Sequence, residues 1–394
     1  MPTPAPYDLD PALSLLLVGA ALALLPLAWV LWRHRHASGP RKLHALTLLT
    51  LFLTFDLVLF GAFTRLTDSG LGCPDWPGCY GQTSPLQAHA DISAAQAAQP
   101  TGPVTHSKAW IEMIHRYLAM AVGGLIMTLA LASSWLHWRR KQALPLHPGW
   151  PLLTLFWVCV QGAFGALTVT MKLLPAIVTL HLLGAQVLLI LLCWQAVRYA
   201  QALQGQSRPP PGGPTALAPV ARAWLAGALA LVMLQIASGG WVSSNYAVLV
   251  CNTFPTCQGQ WWPAMDWRTG FELWRQLGQT RAGEMLSLQA LTAIHMAHRL
   301  MAVLVLAVLA ALAWRLWHAP SMRTTAHALA ALALWQLLTG LSNVVLGWPI
   351  AAALAHSAGA AAIVLVLTRA LCTAVAHPTP INAAAPAPAS IARA

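Results

Sequence analysis

Charged residues are scarce in this 394-residue chain. Only 8% of its residues are Asp, Glu, Lys or Arg, whereas 58% are hydrophobic. A soluble domain with this composition could not cover its surface with polar groups, so an ordinary globular enzyme is excluded. Apolar runs of about twenty residues instead predict transmembrane helices. We predict an all-α integral membrane protein whose spans lie near residues 12–32, 43–64, 109–133, 150–170, 174–197, 222–243, 290–313, 325–346 and 350–371.

Acidic residues are scarcer still, and their absence from alternate loops predicts the topology. The chain has 22 Lys and Arg against 10 Asp and Glu, a formal net charge of +12. Basic residues gather at one face that has no acidic residue, which the positive-inside rule makes cytoplasmic. They are too scattered over short loops to form a nucleic-acid surface. They are Arg33, Arg35, Arg41, Lys42, Arg139, Arg140, Lys141, Arg198, Arg208, Arg222, Arg315, Arg323 and Arg369.

A signal peptide is not indicated at the first apolar run, because no basic region precedes it and no clear cleavage site follows. With nine spans, the amino terminus lies outside and the carboxyl terminus is cytoplasmic. Two four-helix units both start inside, so we predict a parallel repeat of two four-helix bundles plus one extra N-terminal transmembrane helix. The predicted segments are 1–42 (extra helix and loop), 43–200 (first repeat), 201–221 (Pro/Gly-rich cytoplasmic linker), 222–371 (second repeat) and 372–394 (disordered cytoplasmic tail).

Histidines recur inside the apolar spans of both repeats. The first copy contains I-E-M-I-H-R (111–116) and L-H-L-L-G (180–184), and the second contains I-H-M-A-H-R (294–299) and A-H-S-A-G (355–359). A single membrane imidazole is equally well explained as an interhelical hydrogen-bonding group. Four at matching positions indicate function, because each is costly without a partner. Paired imidazoles on facing helices can ligate haem iron, so we predict two haem sites, His115 with His181 and His298 with His356.

The two copies differ at the position three residues before the first histidine of each pair. Glu112 occupies it in the first repeat and His295 in the second. A buried carboxylate could handle protons, although a salt bridge to Arg116 is the alternative. The difference suggests chemistry at the first site and electron transfer at the second.

His115 and His298 are each followed directly by an arginine, whereas His295 is not. This favours His298 over His295 as the iron ligand. Arg116 and Arg299 could contact haem propionates, or equally helix dipoles or lipid phosphates.

Two cysteine pairs have equal spacing, in G-C-P-D-W-P-G-C and V-C-N-T-F-P-T-C. Each follows the first helix of its repeat on the outer face, which is oxidising in a bacterium, so disulfides Cys73–Cys79 and Cys251–Cys257 are favoured. A zinc site remains the rival, although its paired ligands usually lie two to four residues apart. Free thiols without a role are the third possibility.

The stretch G-A-F-T-R-L-T-D-S-G-L-G-C-P-D-W-P-G-C, the E-x-x-H-R of the third span, G-G-W-V-S-S-N-Y-A before the second cysteine pair, and the two later histidines resemble the haem A synthase family. The resemblance covers roughly residues 45–370. It implies an enzyme that oxidises a ring methyl of haem O to a formyl group, giving haem A for cytochrome oxidase. It also implies haem b as cofactor, a haem O synthase and an electron donor such as a quinol as partners, and a bacterial inner membrane location with the haem sites toward the periplasm.

The resemblance also assigns residues. It implies that His298 and His356 ligate haem b, that His115 and His181 hold the substrate haem O, and that Glu112 is the catalytic carboxylate. The cysteine pairs match family members that have disulfides in both outer loops. The family usually has eight spans, so the first helix is a departure.

Two rival functions use the same histidines. One is a di-haem, cytochrome b-like electron carrier that oxidises quinol, and the other is a haem transporter or chaperone. The electron carrier leaves Glu112 and the cysteine pairs unexplained. Both rivals predict that a Glu112→Gln variant keeps its haem and loses little function.

Overall fold

The computed structural model describes residues 10–205 and 219–374. Most of the predicted linker and tail therefore lies outside the described residues. The helices are α1 (Asp10–Arg33), α2 (Gly39–Leu66), α3 (His89–Ala98), α4 (His106–Ser134), α5 (Gly149–Thr170), α6 (Pro175–Gly205), α7 (Pro219–Ser244), α8 (Trp267–Gly270), α9 (Leu288–Trp317), α10 (Arg323–Val345) and α11 (Ile350–Ala374).

Nine helices in the described part of the chain are long and apolar enough to cross a membrane, all except α3 and α8. This confirms the prediction of an all-α, multi-pass membrane protein. Several helices run past the apolar segments that predicted them. A π-helical turn, Trp135–Arg139, extends the third span, and the fifth continues to Gln204. A helix can outlast its apolar run because its backbone groups still need hydrogen-bond partners at the membrane surface.

Eight of the spans pack as two sets of four. In the N-terminal group, α2 packs on α4, α4 on α5, α5 on α6, and α6 back on α2. In the C-terminal group, α7 packs on α9, α9 on α10, α10 on α11, and α11 back on α7. The histidine-bearing helices, α4 with α6 and α9 with α11, therefore stand at opposite corners of their groups. Helix α1 is not part of either group of four, and it packs against α4 and α2.

The two groups meet through matched contacts. Helix α6 packs on α11 and on α7, and α2 packs on α11. At the end that carries the cysteine loops, which is the outer end in the predicted orientation, Arg65 donates to the Ser243 carbonyl, and the Tyr246 hydroxyl donates to Asp68 at 2.7 Å. Partial burial raises the pKa of the Tyr246 hydroxyl. Both contacts join residues 178 positions apart.

The cysteine pairs have the same offset of 178 residues (Cys73 to Cys251). By this offset, Arg65 corresponds to Ser243 and Asp68 corresponds to Tyr246. Contacts between corresponding residues are expected where two repeats are related by a two-fold axis. These contacts have the pattern that a parallel repeat requires. The repeat itself and the bounds of its segments remain predictions.

Three buried threonines of α2 bond to the backbone of their own helix. Thr47, Thr50 and Thr54 on α2 donate to the carbonyl four residues earlier, at 2.7–2.8 Å. The Gln195 amide on α6 donates to Thr47 at 2.9 Å, which links two helices of the N-terminal group. Internal bonds of this kind are needed because the membrane core offers no water.

Candidate functional site

Four membrane histidines occupy opposite corners of the two helix groups. His115 is on α4 and His181 on α6, whereas His298 is on α9 and His356 on α11. His115 and His181 thus belong to the N-terminal helix group, and His298 and His356 belong to the C-terminal group. None of the four residues is fully covered by protein. The structure thus places the two members of each predicted pair on opposite helices of one group, with each histidine residue only partly covered by protein.

Each imidazole faces a glycine on the neighbouring helix, a feature that the sequence analysis did not identify. A methyl group added at any of these glycines would lie against the ring. The distances from the added carbon are 3.0 Å from Gly61 to His115, 3.5 Å from Gly165 to His181, 3.1 Å from Gly239 to His298 and 3.3 Å from Gly340 to His356. Glycine is unfavourable inside a helix, so its presence at these positions indicates a need for close approach.

A sequence signal for these glycines exists. The interval from Gly165 to His181 equals that from Gly340 to His356, 16 residues. Glycines are common in transmembrane helices, so the interval alone would not have separated these from the others.

Hydroxyl groups contact both imidazoles of the C-terminal pair. Ser238 Oγ lies 2.8 Å from His298 Nδ1, and Thr339 Oγ1 lies 3.0 Å from His356 Nδ1. Both hydroxyls sit on the helix that carries the facing glycine, one residue before it. A second contact to the ligand ring is the usual way in which proteins orient a metal-binding histidine.

The N-terminal pair has aromatic neighbours instead. The Phe60 ring is nearly parallel to that of His115, with an interplanar angle of 8° and centroids 6.3 Å apart. His181 Nδ1 is buried and has no hydrogen-bond partner among the described residues. The two pairs therefore differ in what holds their rings.

Glu112 is buried beside the first outer loop. One carboxylate oxygen forms an ion pair with Arg116 at 2.5 Å, and the other accepts from the Cys73 amide at 2.8 Å. The salt bridge that the sequence offered as the alternative reading is present. Glu112 thus joins the helix of His115 to the start of the cysteine loop, and its catalytic role stays a prediction.

The two arginines hold the outer loops. Arg116 donates to the carbonyls of Asp75 and Pro77, both at 3.1 Å, and to that of Gly78. Arg299 donates to the Thr256 carbonyl at 3.0 Å and to the Cys251 carbonyl at 2.9 Å. Loop carbonyls were not among the partners expected from the sequence, because the sequence does not show that each cysteine loop folds back over its helix.

His295 has a partner of its own. Its Nδ1 lies 2.8 Å from the Ala247 carbonyl, to which it donates, and the side chain is buried. This bond holds the chain just beyond α7, as the Glu112 bond to Cys73 holds the first loop. The contact favours His298 as the ring available to a ligand in the C-terminal group.

Both outer-loop cysteine pairs are disulfides. Cys73 is bonded to Cys79 and Cys251 to Cys257, with Cα atoms 4.9 and 4.6 Å apart. In each loop the second cysteine forms an isolated antiparallel β-bridge with the glutamine three residues later, Cys79 with Gln82 and Cys257 with Gln260. The disulfide prediction is confirmed over the zinc and free-thiol alternatives.

Comparison with known proteins agrees with these features. Residues 44–368 match the cytochrome oxidase assembly protein family, COX15-CtaA. The chain belongs to this family. Helix α1 lies outside the region matched to COX15-CtaA, as expected for an extra helix.

Similar COX15-CtaA relatives are named heme A synthase. That of Shewanella oneidensis is 36% identical over 322 residues, covering 81% of this chain and 92% of the relative. That of Rhizorhabdus wittichii is 27% identical over 354 residues, covering 81% and 90%. That of Halalkalibacterium halodurans is 26% identical over 323 residues, covering 80% and 90%. The family resemblance found in the sequence is confirmed.

Proposed function

We propose that this chain converts haem O into haem A by oxidising one ring methyl to a formyl group, for the assembly of cytochrome oxidase. Membership of COX15-CtaA and the relatives named heme A synthase support the reaction. The observation that carries the proposal is the presence of two imidazole pairs in two separate helix groups. Two separate pairs offer one position for a substrate haem and another for a haem cofactor.

The C-terminal pair is the proposed haem b site. His298 and His356 stand on opposite corners of their group, and each faces a glycine where a Cβ would occupy the space beside the ring. This cradle suits a large planar group held between two imidazoles. Haem iron, when bound, supplies redox chemistry that no side chain can. Ser238 and Thr339 orient the two ligands.

The N-terminal pair is the proposed substrate site. His115 and His181 would hold the haem O iron, and Gly61 and Gly165 give their rings the same close approach. Glu112 lies on the helix of His115, three positions earlier, so the two side chains lie on neighbouring positions of one helix face. We assign Glu112 the handling of a proton at its Oε2, which the Cys73 amide now occupies. An oxygen that accepts one hydrogen bond keeps a second lone pair, and this lone pair can take up the proton.

The proposed location is a bacterial inner membrane with the cytoplasmic face marked by basic residues. The cysteine loops then lie on the periplasmic side, where disulfides persist. Haem O synthase and an electron donor such as a quinol are the proposed partners.

A quinol-oxidising, di-haem electron carrier is the second candidate. The fully partnered Glu112 carboxylate favours it, because an ion pair with Arg116 and a bond from Cys73 give this residue a structural role. The two candidates differ in product, since only the first creates a formyl-bearing haem.

Mass analysis of extracted haems decides between them. Bacterial cells that make haem O and have no other source of haem A would be compared with and without this chain. We expect the formyl-bearing haem only in cells with the chain. The control variant is Gly227→Ala on α7, where an added Cβ meets no atom within 4 Å. Haem O left unchanged beside well-expressed, haem-loaded protein would refute the proposed reaction.

A further inference from the structure

The hydroxyl hydrogens of Ser238 and Thr339, beside the C-terminal imidazoles, are both donated to backbone carbonyls. Ser238 donates to the Gln235 carbonyl at 2.8 Å, and Thr339 donates to the Trp335 carbonyl at 2.7 Å. A hydroxyl has one hydrogen and two lone pairs. Toward the imidazole, each oxygen can therefore only accept. The proton of that bond must come from the ring Nδ1.

An accepting hydroxyl fixes the tautomer of the ring. With Nδ1 protonated, a neutral imidazole leaves the Nε2 lone pair free for a metal ion. Two independent contacts, on α7 and on α10, make the same selection for His298 and His356.

A neighbouring amide does not reverse the selection at His298. The Gln235 amide nitrogen lies 3.1 Å from Nδ1 and 3.4 Å from Nε2, and it donates to the His298 carbonyl at 3.2 Å. The lone pairs of the two ring nitrogens point in different directions, so an atom that accepts or donates along one of them would be far from the second nitrogen. The Gln235 amide nitrogen is almost equally close to both nitrogens, and it therefore lies along neither lone pair. On α10, the Gln336 amide likewise donates to the His356 carbonyl, at 2.9 Å.

The same short pattern carries these contacts on two different helices. It reads Q-I-A-S-G at 235–239 and Q-L-L-T-G at 336–340, with the amide, the hydroxyl and the facing glycine at identical spacing. The corresponding segments of the N-terminal group read L-V-L-F-G at 57–61 and Q-G-A-F-G at 161–165. Phenylalanine thus stands at the sequence position of the hydroxyl in both N-terminal segments, and Phe60 stacks on the His115 ring.

The N-terminal rings show the consequence. His181 Nδ1 has no partner among the described residues. The atom of His115 nearest the facing glycine is Nε2, whereas in His181, His298 and His356 it is Cε1, so only His115 turns a ring nitrogen toward its glycine. Within the described part of the chain, neither N-terminal ring has a hydrogen bond that would select a tautomer, whereas both C-terminal rings do.

We infer that Ser238 and Thr339 are positioning residues that hold His298 and His356 as Nδ1-protonated ligands and so retain the resident haem, whereas Phe60 and Phe164 leave the N-terminal imidazoles unrestrained, so that the haem there can leave. The inference rests on the proposed assignment of haem b to the C-terminal pair. It explains how two similar sites could hold one haem permanently and release the other as product.

The test uses the full-length protein purified in detergent with its bound haem. Ser238→Ala and Thr339→Val remove one acceptor each, Thr339→Val with little change in shape. We expect the C-terminal haem to transfer to excess apomyoglobin about tenfold faster, the low end of the range for lost outer-shell bonds. Its midpoint potential should rise, because an imidazole without an acceptor donates less electron density to iron.

Conservative and control variants separate orientation from general damage. Ser238→Thr and Thr339→Ser keep the acceptor and should restore the wild-type rate and potential. Ser342→Ala removes the equivalent bond from Ser342 to the Leu338 carbonyl, 2.8 Å, on the same helix, and should change neither. In the reverse direction, Phe164→Thr offers His181 Nδ1 an acceptor and should slow haem loss from the N-terminal pair.

Unchanged transfer rate and potential in both Ser238→Ala and Thr339→Val would overturn the inference. So would equal effects from Ser342→Ala. His298→Ala distinguishes this result from failure of the proposed function. Loss of haem b in His298→Ala with no effect of the hydroxyl variants refutes only the tautomer argument. Full retention of haem b in His298→Ala refutes the site assignment itself.

Discussion

Replacing Gly239 by alanine tests whether close approach of α7 to His298 is needed for haem binding. The new methyl carbon would lie 3.1 Å from Cε1 of the ring, with Nδ1 at 3.7 Å and Nε2 at 3.9 Å. Carbon atoms prefer separations of about 3.5–4.0 Å. The His298 ring must therefore move or the helices must separate, and either change moves Nε2 from its present position.

The size of the effect follows from the overlap. Adding one methyl to a well-packed site costs about 1–3 kcal/mol, which corresponds to roughly 5- to 150-fold weaker haem binding if the bound state carries the strain. Gly227→Ala on the same helix meets nothing within 4 Å, and it should stabilise the helix by up to about 1 kcal/mol. The contrast between the two variants isolates the contact with the ring.

The assay is haem bound per purified protein, measured by pyridine haemochrome together with thermal unfolding. A graded series sharpens it, because the added carbon lies 3.1 Å from the ring at Gly239, 3.3 Å at Gly340 and 3.5 Å at Gly165. The last distance is an ordinary contact, so Gly165→Ala should have the smallest effect on its own pair. Wild-type haem content in Gly239→Ala, or equal losses across the series, would refute the reasoning.

Three further predictions concern the outer side of the protein. Glu112→Gln should keep both haems but slow methyl oxidation about a hundredfold or more, the usual contribution of an acid–base group; haem analysis by mass should show haem O accumulating, and normal turnover would contradict the catalytic role. Tyr246→Phe removes the bond to Asp68 and should lower the free energy of unfolding by about 1 kcal/mol; an unchanged thermal transition would show that the contact between the helix groups adds no stability. After denaturation without reductant, alkylation should label the three free cysteines alone, and labelling of any other cysteine would contradict the disulfides. The free cysteines are Cys159, Cys193 and Cys372.

Much of the fold was predictable because the membrane simplifies the problem. A span must be long, apolar and helical to satisfy its backbone without water, so composition and run length gave nine helices. Helix ends were less accurate, as the extension of the third span to Arg139 shows. Hydropathy does not register a helix that continues beyond the apolar core.

The histidine pairs were predictable for a different reason. Recurrence of the same local motifs in two copies singled out these four imidazoles, and the structure places each pair on opposite helices of one group. The disulfides followed from equal spacing on a face expected to be oxidising, and the structure contains both. The family resemblance likewise depended on local motifs that the match to COX15-CtaA confirms.

The partners of Arg116 and Arg299 could not be predicted, because they are backbone carbonyls. Every residue has a carbonyl, so no sequence signal marks those that a folded loop will present. The same holds for the bond from His295 to Ala247. Such contacts depend on the path of the outer loops, which hydropathy and charge leave undefined.

The sequence by itself determined the membrane class, the spans, the two cysteine pairs and the identity of the four histidines, because each depends on local composition or on repetition along the chain. Only the tertiary structure decided what each histidine faces. Each ring faces a glycine on a neighbouring helix, at Gly61, Gly165, Gly239 or Gly340. Ser238 and Thr339 contact the ring Nδ1 of His298 and His356 from a neighbouring helix. The physical reason is that contacts between helices depend on their rotation and packing. The one-dimensional pattern carries the residues that make these contacts but not the geometry that joins them.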